Sequence, residues 1–341
     1  MLETTWFVLW GVLWALYFML DGFDIGVGML SSFVARDEKE LRAVYRSIGP
    51  FWDGNEVWLI TAGGVTFAAF PAAYAVLFSA FYSPLMLILF GLIMRGVSLE
   101  LRGKVESDLS RRFWDVCLVF GSFIPALLFG VAFANIFKGI PIDNEGLFHG
   151  GMVTILHPYG LAGGFLFVAL FLMHGALWLS IKVHGNVGLR AEGVAQKMWY
   201  VVLFFAIGFL ALSFKETSLF GNYVKSPALF VILLVTLCAL FGAKIYMYKG
   251  IWWKAWWGSA VTIMGTTLFG VVGLYPSLLP SSLDRSYSLT IYNASSSPLT
   301  LKIMLAVALI FVPVVLLYQI WAYRVFRGKI SEESLDYENR Y

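Results

Sequence analysis

The sequence predicts an all-α integral membrane protein with nine transmembrane helices in a single membrane domain covering residues 1–341. Hydrophobic residues make up 60% of the chain and charged residues 13%, about half the charged share of a soluble globular protein. The mean hydropathy is +0.78. A chain of this composition cannot cover itself with a hydrated surface, so cytosolic enzymes, secreted disulfide scaffolds and disordered proteins are excluded.

Apolar stretches near twenty residues long predict the individual spans, because a helix needs about that length to cross the hydrocarbon core. They lie at about 5–34, 53–70, 75–101, 114–137, 158–181, 198–214, 226–247, 255–275 and 302–323. The first stretch is too long for the core of a signal peptide, and no basic segment precedes it. It is therefore expected to remain as an anchor.

The basic residues orient these spans. Most of the 24 Lys and Arg residues fall in alternate connecting segments, at 35–52, 102–113, 182–197 and 244–254, and in the C-terminal tail. Because segments rich in Lys and Arg stay in the cytoplasm, the N-terminus is expected outside and the C-terminus in the cytoplasm. The net charge of only +3 gives no indication of nucleic-acid binding.

Two carboxylates lie inside the first span, where each charge is costly. Asp21 and Asp24 are three residues apart and therefore share one helix face. Two carboxylates this close cannot easily both ionise in a low dielectric, so one is expected to hold a proton near neutral pH. This property suits a proton relay.

The second span opens with two further acids. Asp53 and Glu56 lie in its first turn, with Asn55 between them. Acids at this place favour the helix dipole and can cap the helix. For Asp53, capping and a functional role are equally favoured, whereas Glu56 is expected to act as a cap.

A cation lies near the end of the third span. Arg95 is about 9 Å inside a helix end at residue 101, by the standard rise per residue. It could extend to the interface, but the need of a buried acid for a partner favours an ion pair. Glu100 and Asp115 lie at predicted span boundaries and are expected to be solvated.

The histidines and cysteines predict no metal site and no catalytic residue in this chain. Of four histidines only His174 lies well inside a span. It could be an axial haem ligand, but a lone membrane histidine is more often packed or hydrogen-bonded. Cys117 and Cys238 lie in apolar runs without the spacing of a zinc site or a disulfide framework.

Several motifs resemble subunit II of the cytochrome bd-type quinol oxidases, which are bacterial terminal oxidases. The motifs are LDGFDIGVG at 20–28, WDGNEVWLITAGG at 52–64, GVAFAN at 130–135, SLTIYNASSSPLTLKIM at 288–304 and VPVVLLYQIWAYRVF at 312–326. The resemblance covers nearly the whole chain, and the first two motifs are long and unusual.

The resemblance implies two four-helix bundles plus one peripheral helix, in the bacterial cytoplasmic membrane. It implies a heterodimer with a subunit I that carries two haem b, one haem d and the quinol-binding loop, and it leaves room for a small accessory single-span subunit. The complex would oxidise quinol outside and reduce oxygen to water with cytoplasmic protons, generating proton motive force. Subunit II would ligate no haem, support assembly and supply part of the proton path.

The resemblance also implies roles for particular residues. Asp53, Asp21 and Asp24 match positions implicated in the proton path, whereas some relatives carry Gln at the position of Glu56. The predicted depths agree, because Asp53 would lie near the cytoplasmic entrance and Asp24 about 15 Å above the end of its helix. Asn55 and Ser98 are expected to help hold ordered water along that path, with Glu56 and Glu100 as accessory residues. The segment 215–225 is short, so functions of a longer outer loop do not carry over.

Two other classes of function stay open on the residues alone. One is a secondary transporter, in which Asp21, Asp24 and Arg95 would bind an ion or a solute near the midplane. The other is a membrane scaffold without a relay. Co-purification of a haem-bearing partner distinguishes the oxidase from the transporter, and a defect in proton uptake distinguishes the relay from the scaffold.

Overall fold

The computed structural model describes residues 1–330, and this part of the chain is largely helical. Eight of its helices are long and apolar enough to cross a membrane. The α-helices are α1 Leu2–Val34, α2 Glu38–Ile48, α3 Trp52–Ala69, α4 Pro71–Ala80, α5 Tyr82–Leu101, α6 Asp108–Lys138, α7 Met152–Ile155, α8 Pro158–Lys182, α9 Asn186–Glu216, α10 Phe220–Lys225, α11 Phe230–Tyr248, α12 Trp252–Leu274 and α13 Pro298–Val325.

Short 3-10 turns and one small sheet complete the described chain. The turns are Arg102–Lys104, Pro227–Leu229 and Arg285–Tyr287. Strands β1 Ser277–Leu279 and β2 Leu289–Thr290 pair antiparallel in the segment between α12 and α13. These elements lie outside the polar site described below.

Helix α1 is the central helix, since it packs against α3, α6, α8 and α12. Its crossing with α8 is close because two glycines meet there. A Cβ atom on Gly26 would collide with the backbone of Phe171, and one on Gly175 would collide with the backbone of Gly26. Small residues allow such close helix packing in membranes. The crossing places the acidic face of α1 toward α3 and α5.

The predicted span at 53–70 corresponds to α3, but α3 is not among the eight helices that are apolar enough to span. Its first turns carry Asp53, Asn55 and Glu56, which lower its mean hydropathy. The helix nevertheless packs along α1. The structure therefore supports eight candidate spans in residues 1–330 and gives α3 a more polar character than the others.

The single span predicted at 75–101 is wrong. The structure has two helices there, α4 and α5, which separate at Phe81. Pro84 explains the break, because it has no N–H to donate to the Ala80 carbonyl, and its ring would clash with that carbonyl in a continuous helix. Only α5 is long enough to span the membrane.

Two segments predicted as loops are partly helical. The segment 35–52 contains α2, whose start is capped by the Asp37 carboxylate, which accepts a hydrogen bond from the Glu40 N–H at 2.9 Å. Helix α9 begins at Asn186 rather than at 198. In both places the hydropathy pattern predicted only the apolar stretch, because the neighbouring helical turns are polar.

Asp115 is buried, so its expected solvation is wrong. Its carboxylate accepts a hydrogen bond of 2.5 Å from Arg102 Nε and one of 2.9 Å from the Tyr45 hydroxyl. Arg102 also donates two hydrogen bonds to Glu38, at 2.9 and 2.8 Å. Hydrogen bonds from Arg102 and Arg42 lower the pKa of Glu38 to about 2. This ionic network ties α2 and α6 to the end of α5.

Arg102→Met is expected to destabilise the protein by up to about 3 kcal/mol, near the lower end of the cost of breaking a buried ion pair. The substitution leaves the buried Asp115 carboxylate without its cation. The measurement is the thermal unfolding midpoint of the detergent-solubilised protein. The matched control is Lys104→Met, because the pair of Lys104 with Glu100 is 3.7 Å long and exposed and should contribute little. Equal midpoints for both variants would contradict this expectation.

Candidate functional site

A buried polar cluster lies where α1, α3 and α5 meet. Helix α1 contributes Asp21 and Asp24, α3 contributes Asn55 and Glu56, and α5 contributes Arg95. The side chains of Asp21, Asp24, Asn55 and Arg95 are fully buried. Since buried charges are costly without partners, the contacts of each group decide what the cluster can do.

Arg95 forms ion pairs with two of the acids. Its Nη2 lies 2.8 Å from Asp21 Oδ1 and donates a hydrogen bond of 3.0 Å to Asp21 Oδ2. The same nitrogen donates to Glu56 Oε1. Arg95 therefore lies inside the protein and does not extend to the interface. The expected capping role of Glu56 is wrong, because its carboxylate is occupied by Arg95 on another helix.

Asp24 has a different partner from Asp21. Asn55 Nδ2 donates a hydrogen bond of 2.6 Å to Asp24 Oδ2 and a second of 3.1 Å to the Leu20 carbonyl. The amide oxygen of Asn55 accepts a hydrogen bond of 3.0 Å from the Tyr323 hydroxyl. Asn55 thus contacts Asp24 directly. Asp24 Oδ1 is buried and has no hydrogen-bond partner among residues 1–330.

Asp53 lies outside the buried cluster but next to it in the chain. It is in the first turn of α3 and is exposed. The N-cap residue is Phe51, and no side chain caps this helix. Within the described chain, Asp53 has no hydrogen bond or ion pair. The structure therefore gives no support to a capping role and leaves its carboxylate accessible from the end of α3.

Two residues expected near the path do not join the cluster. Ser98 donates its hydroxyl hydrogen to the Met94 carbonyl of its own helix at 2.6 Å. Among residues 1–330, Glu100 is paired with the exposed Lys104. Neither forms a hydrogen bond or an ion pair with the cluster in the part of the chain that the structure describes.

Sequence reasoning missed three residues around the cluster. Tyr17 lies one turn above Asp21 on α1 and is fully buried, and its hydroxyl has no hydrogen-bond partner among the described residues. Tyr323 and Gln319 reach the start of α3 from α13. The spacing of Tyr17 and Asp21 could have indicated the first, but aromatic residues in spans usually pack. No nearby sequence pattern indicates that Tyr323 and Gln319 lie at this site, because both are distant in sequence from the cluster.

The charges of the cluster do not balance. One guanidinium faces three carboxyl groups, those of Asp21, Asp24 and Glu56, and Asp24 has only a neutral amide beside it. Burial in a low dielectric disfavours uncompensated negative charge. The arrangement favours a proton on at least one carboxyl group, and Asp24 is the group that lacks a cation.

His174 lies away from this cluster and has both ring nitrogens engaged. Nδ1 is 2.5 Å from the Ser259 hydroxyl oxygen, and Nε2 is 3.1 Å from the Met19 carbonyl oxygen. Its ring stacks on Trp256, with 4.9 Å between the ring centroids. Across residues 1–330, no group of three His, Cys, Asp or Glu side chains could hold a metal ion.

Comparisons with known proteins agree over nearly the whole chain. A family model described as cytochrome bd terminal oxidase subunit II matches residues 2–326. The cytochrome bd ubiquinol oxidase subunit 2 of Bacillus subtilis is 37% identical, with 98% of each chain covered. The cytochrome bd-I ubiquinol oxidase subunit 2 of Escherichia coli strain K12 is 36% identical, with 98% of this chain and 97% of the relative covered.

A solved structure has a similar fold. A chain of the bd oxidase from Geobacillus thermodenitrificans matches with a TM-score of 0.74 and 16% sequence identity, covering 95% of this chain and 97% of that chain. At this identity the likeness concerns the fold alone, and it agrees with an all-helical membrane protein.

Proposed function

Since the chain belongs to the cytochrome bd terminal oxidase subunit II family, we propose that it supports the assembly of a haem-bearing subunit I and contributes the cytoplasmic proton-uptake path of the complex. The family match confirms the predicted resemblance. The chain is a multi-pass protein of the bacterial cell membrane and a subunit of an oxidoreductase complex. The alternative of a secondary transporter is not supported.

The reaction proposed for the complex is the oxidation of quinol on the outer side, coupled to the reduction of oxygen to water and to the generation of proton motive force. The names of the relatives, which are ubiquinol oxidase subunits, support this proposal. Each oxygen reduced consumes protons, so a buried route from the cytoplasm is required. The acid cluster is the observation in this chain that carries the proposal.

The proposed route begins at Asp53 and continues to Asp24 and Asp21. Asp53 is exposed at the start of α3, so it can exchange protons with water. Asp24 holds a proton at Oδ1, the carboxylate oxygen that is not engaged by Asn55. Arg95 stabilises negative charge on Asp21 and Glu56. A proton on Asp24 can then move one turn along α1 to the Asp21 side.

We also propose nine membrane crossings, with α3 as the ninth. At 18 residues it is about 27 Å long, close to the thickness of the hydrocarbon core. The proposed arrangement is two bundles of four, α1, α3, α5 and α6 in one and α8, α9, α11 and α12 in the other, with α8 of the second bundle packed on α1 and α6 of the first. Helix α13 would be peripheral, since only 6% of the residues in its most apolar 18-residue stretch are buried inside the protein. The N-terminus would lie outside and the C-terminus in the cytoplasm.

The haems of the complex, two haem b and one haem d, are proposed to lie in subunit I. When bound there, they supply electron transfer and the reduction of oxygen. His174, the histidine well inside a span, already uses both ring nitrogens within this chain. The proposed role of this chain is therefore confined to assembly and to proton transfer by its own carboxyl groups.

His174→Ala is expected to leave all haems in the complex. The reason is that Ser259 and Met19 occupy both ring nitrogens, so neither can ligate iron. The measurement is the visible spectrum of the complex co-purified through a tag on this chain, with the b- and d-type bands compared with the wild type. Selective loss of one haem from an assembled complex would contradict the proposal that subunit I holds them all, and failure to co-purify any haem-bearing partner would contradict the proposed function itself.

A further inference from the structure

The C-terminal helix α13 differs from every other long helix in how little of it is buried. Within it, the buried residues are Leu301 and Gln319. A buried amide in an otherwise apolar helix is costly unless both its donor and its acceptor are satisfied. The partners of Gln319 therefore show what the helix is fixed to.

Gln319 is bonded at both ends of its amide to α3. Its Nε2 donates a hydrogen bond of 3.0 Å to the Gly54 carbonyl, and its Oε1 accepts one of 2.9 Å from Trp58 Nε1. Gly54 lies beside Asn55 in the first turn of α3. These two bonds fix the axial register of α13 against the part of α3 that carries the polar residues.

Tyr323 lies one turn further along the same face of α13. Its hydroxyl donates a hydrogen bond of 3.0 Å to Asn55 Oδ1, and its ring packs on Phe51 with 4.6 Å between centroids. In this orientation the Tyr323 hydroxyl satisfies the amide oxygen of Asn55, while the amide nitrogen points the other way, toward Asp24 and the Leu20 carbonyl, which accepts from it at 3.1 Å. The distance of 2.6 Å from Asn55 Nδ2 to Asp24 Oδ2 agrees.

The segment after α13 is also fixed, by hydrogen bonds to Lys182 at the end of α8. Lys182 Nζ donates to the carbonyls of Phe326 and Gly328, the latter at 2.9 Å. The Ile330 N–H donates to the Lys182 carbonyl at 2.7 Å. The chain is therefore anchored on both sides of Tyr323, by Gln319 before it and by residues 326–330, here called the strap, after it.

We propose that Tyr323, placed by Gln319 and the strap, is a positioning residue that holds the Asn55 amide in the orientation that donates to Asp24. This inference rests on the proposed proton path through Asp24. The peripheral helix α13 would therefore set the geometry of a proton-carrying carboxyl group with which it has no direct hydrogen bond. If the Asn55 amide rotates, its oxygen faces the Asp24 carboxylate and repels it unless Asp24 is protonated.

Tyr323→Phe tests this proposal in the complex with subunit I. The substitution keeps the ring on Phe51 and removes only the hydroxyl, which leaves Asn55 Oδ1 without its donor. The matched control is Tyr318→Phe on the same helix, where the side chain is 59% exposed. Three quantities are compared for each variant: the haem content, the pH profile of quinol oxidation, and the infrared carboxyl band that is lost in Asp24→Asn.

The expected result for Tyr323→Phe is wild-type haem content with a turnover lowered roughly tenfold, the loss typical of one unsatisfied buried hydrogen-bonding group. The alkaline limb of the pH profile should move to higher pH, because the ionised form of Asp24 loses part of its donor. The Asp24 band should shift in frequency, which can be measured without turnover. Tyr318→Phe should match the wild type in all three.

Three outcomes count against the inference, and they are distinguishable. If Asp24→Asn loses turnover while Tyr323→Phe matches Tyr318→Phe in pH profile and in band position, the positioning role is wrong and the proton path stands. If Asp24→Asn takes up protons at the wild-type rate, the path itself is wrong and the positioning role has no function to serve. A uniform loss of turnover at every pH with an unshifted band would also count against positioning.

Discussion

Arg95→Leu should lower the yield of assembled complex by an order of magnitude or more. Arg95 is fully buried and is the cation of a cluster that contains Asp21 and Glu56. Removing one member of a buried ion pair costs about 3–5 kcal/mol, because it leaves the other charge without compensation. Two carboxylates lose their partner here. The measurement is the amount of haem that co-purifies with a tag on this chain, per unit of membrane protein.

Three further variants separate ion pairing from a simple effect of volume. Arg95→Lys keeps the charge but on a shorter side chain without the fixed geometry of the guanidinium, so an intermediate yield is expected. Arg95→Leu combined with Asp21→Asn should recover part of the yield, since the Glu56 side chain is 23% exposed and can be solvated. Arg112→Leu, at an exposed position, is the matched control. Normal yield and turnover in Arg95→Leu would show that the buried pairs do not matter.

Asp24→Asn should lower quinol oxidation on the order of 100-fold while haems and assembly stay intact. Asparagine has nearly the same size as aspartate and can still hydrogen-bond to Asn55, but it cannot carry a proton, and loss of one positioned proton-transfer group typically costs at least that factor. The loss should therefore appear in turnover and not in yield. Turnover is measured as oxygen consumption with quinol, normalised to haem.

Asp53→Asn should show the same pattern, because its exposed carboxylate is proposed to collect protons. A purely helix-stabilising role makes a different prediction: nearly normal turnover for Asn and a stability loss of roughly 1 kcal/mol for Ala. Asp108→Asn is the matched control, since Asp108 is also an exposed acid in the first turn of a long helix. Equal turnover in the Asp53 and Asp108 variants would remove Asp53 from the path.

Much of the cluster could be predicted from the free-energy cost of placing ionisable groups in a membrane. Ionisable groups inside spans are expensive, and this rule alone singled out Asp21, Asp24 and Arg95. The need of a buried charge for a partner then favoured pairing over an interfacial position for Arg95, and the structure places it against Asp21. The rule could not say that Asp24 faces Asn55 instead, because residues three apart on one helix can contact different neighbours.

Other features depend on packing that no local pattern reports. Tyr323 and Gln319 meet α3 across more than 260 positions of sequence, and both look like lipid-facing residues in an apolar helix. Glu56 carries the signature of a first-turn acid, and only the approach of α5 makes it an ion-pair partner. Apolar run lengths also could not locate the break at Phe81 or the polar first turns of α9.

Proton uptake by the fully reduced complex after mixing with oxygen tests the central claim most directly, because electrons are already on the haems and quinol oxidation is bypassed. A pH-sensitive dye reports the uptake in the wild type, in Asp24→Asn and in Asp53→Asn. We expect uptake in both variants to be slowed in step with their turnover, while the Asp108→Asn control keeps the wild-type rate. Uptake at the wild-type rate in both Asp24→Asn and Asp53→Asn would show that the protons do not pass through these residues.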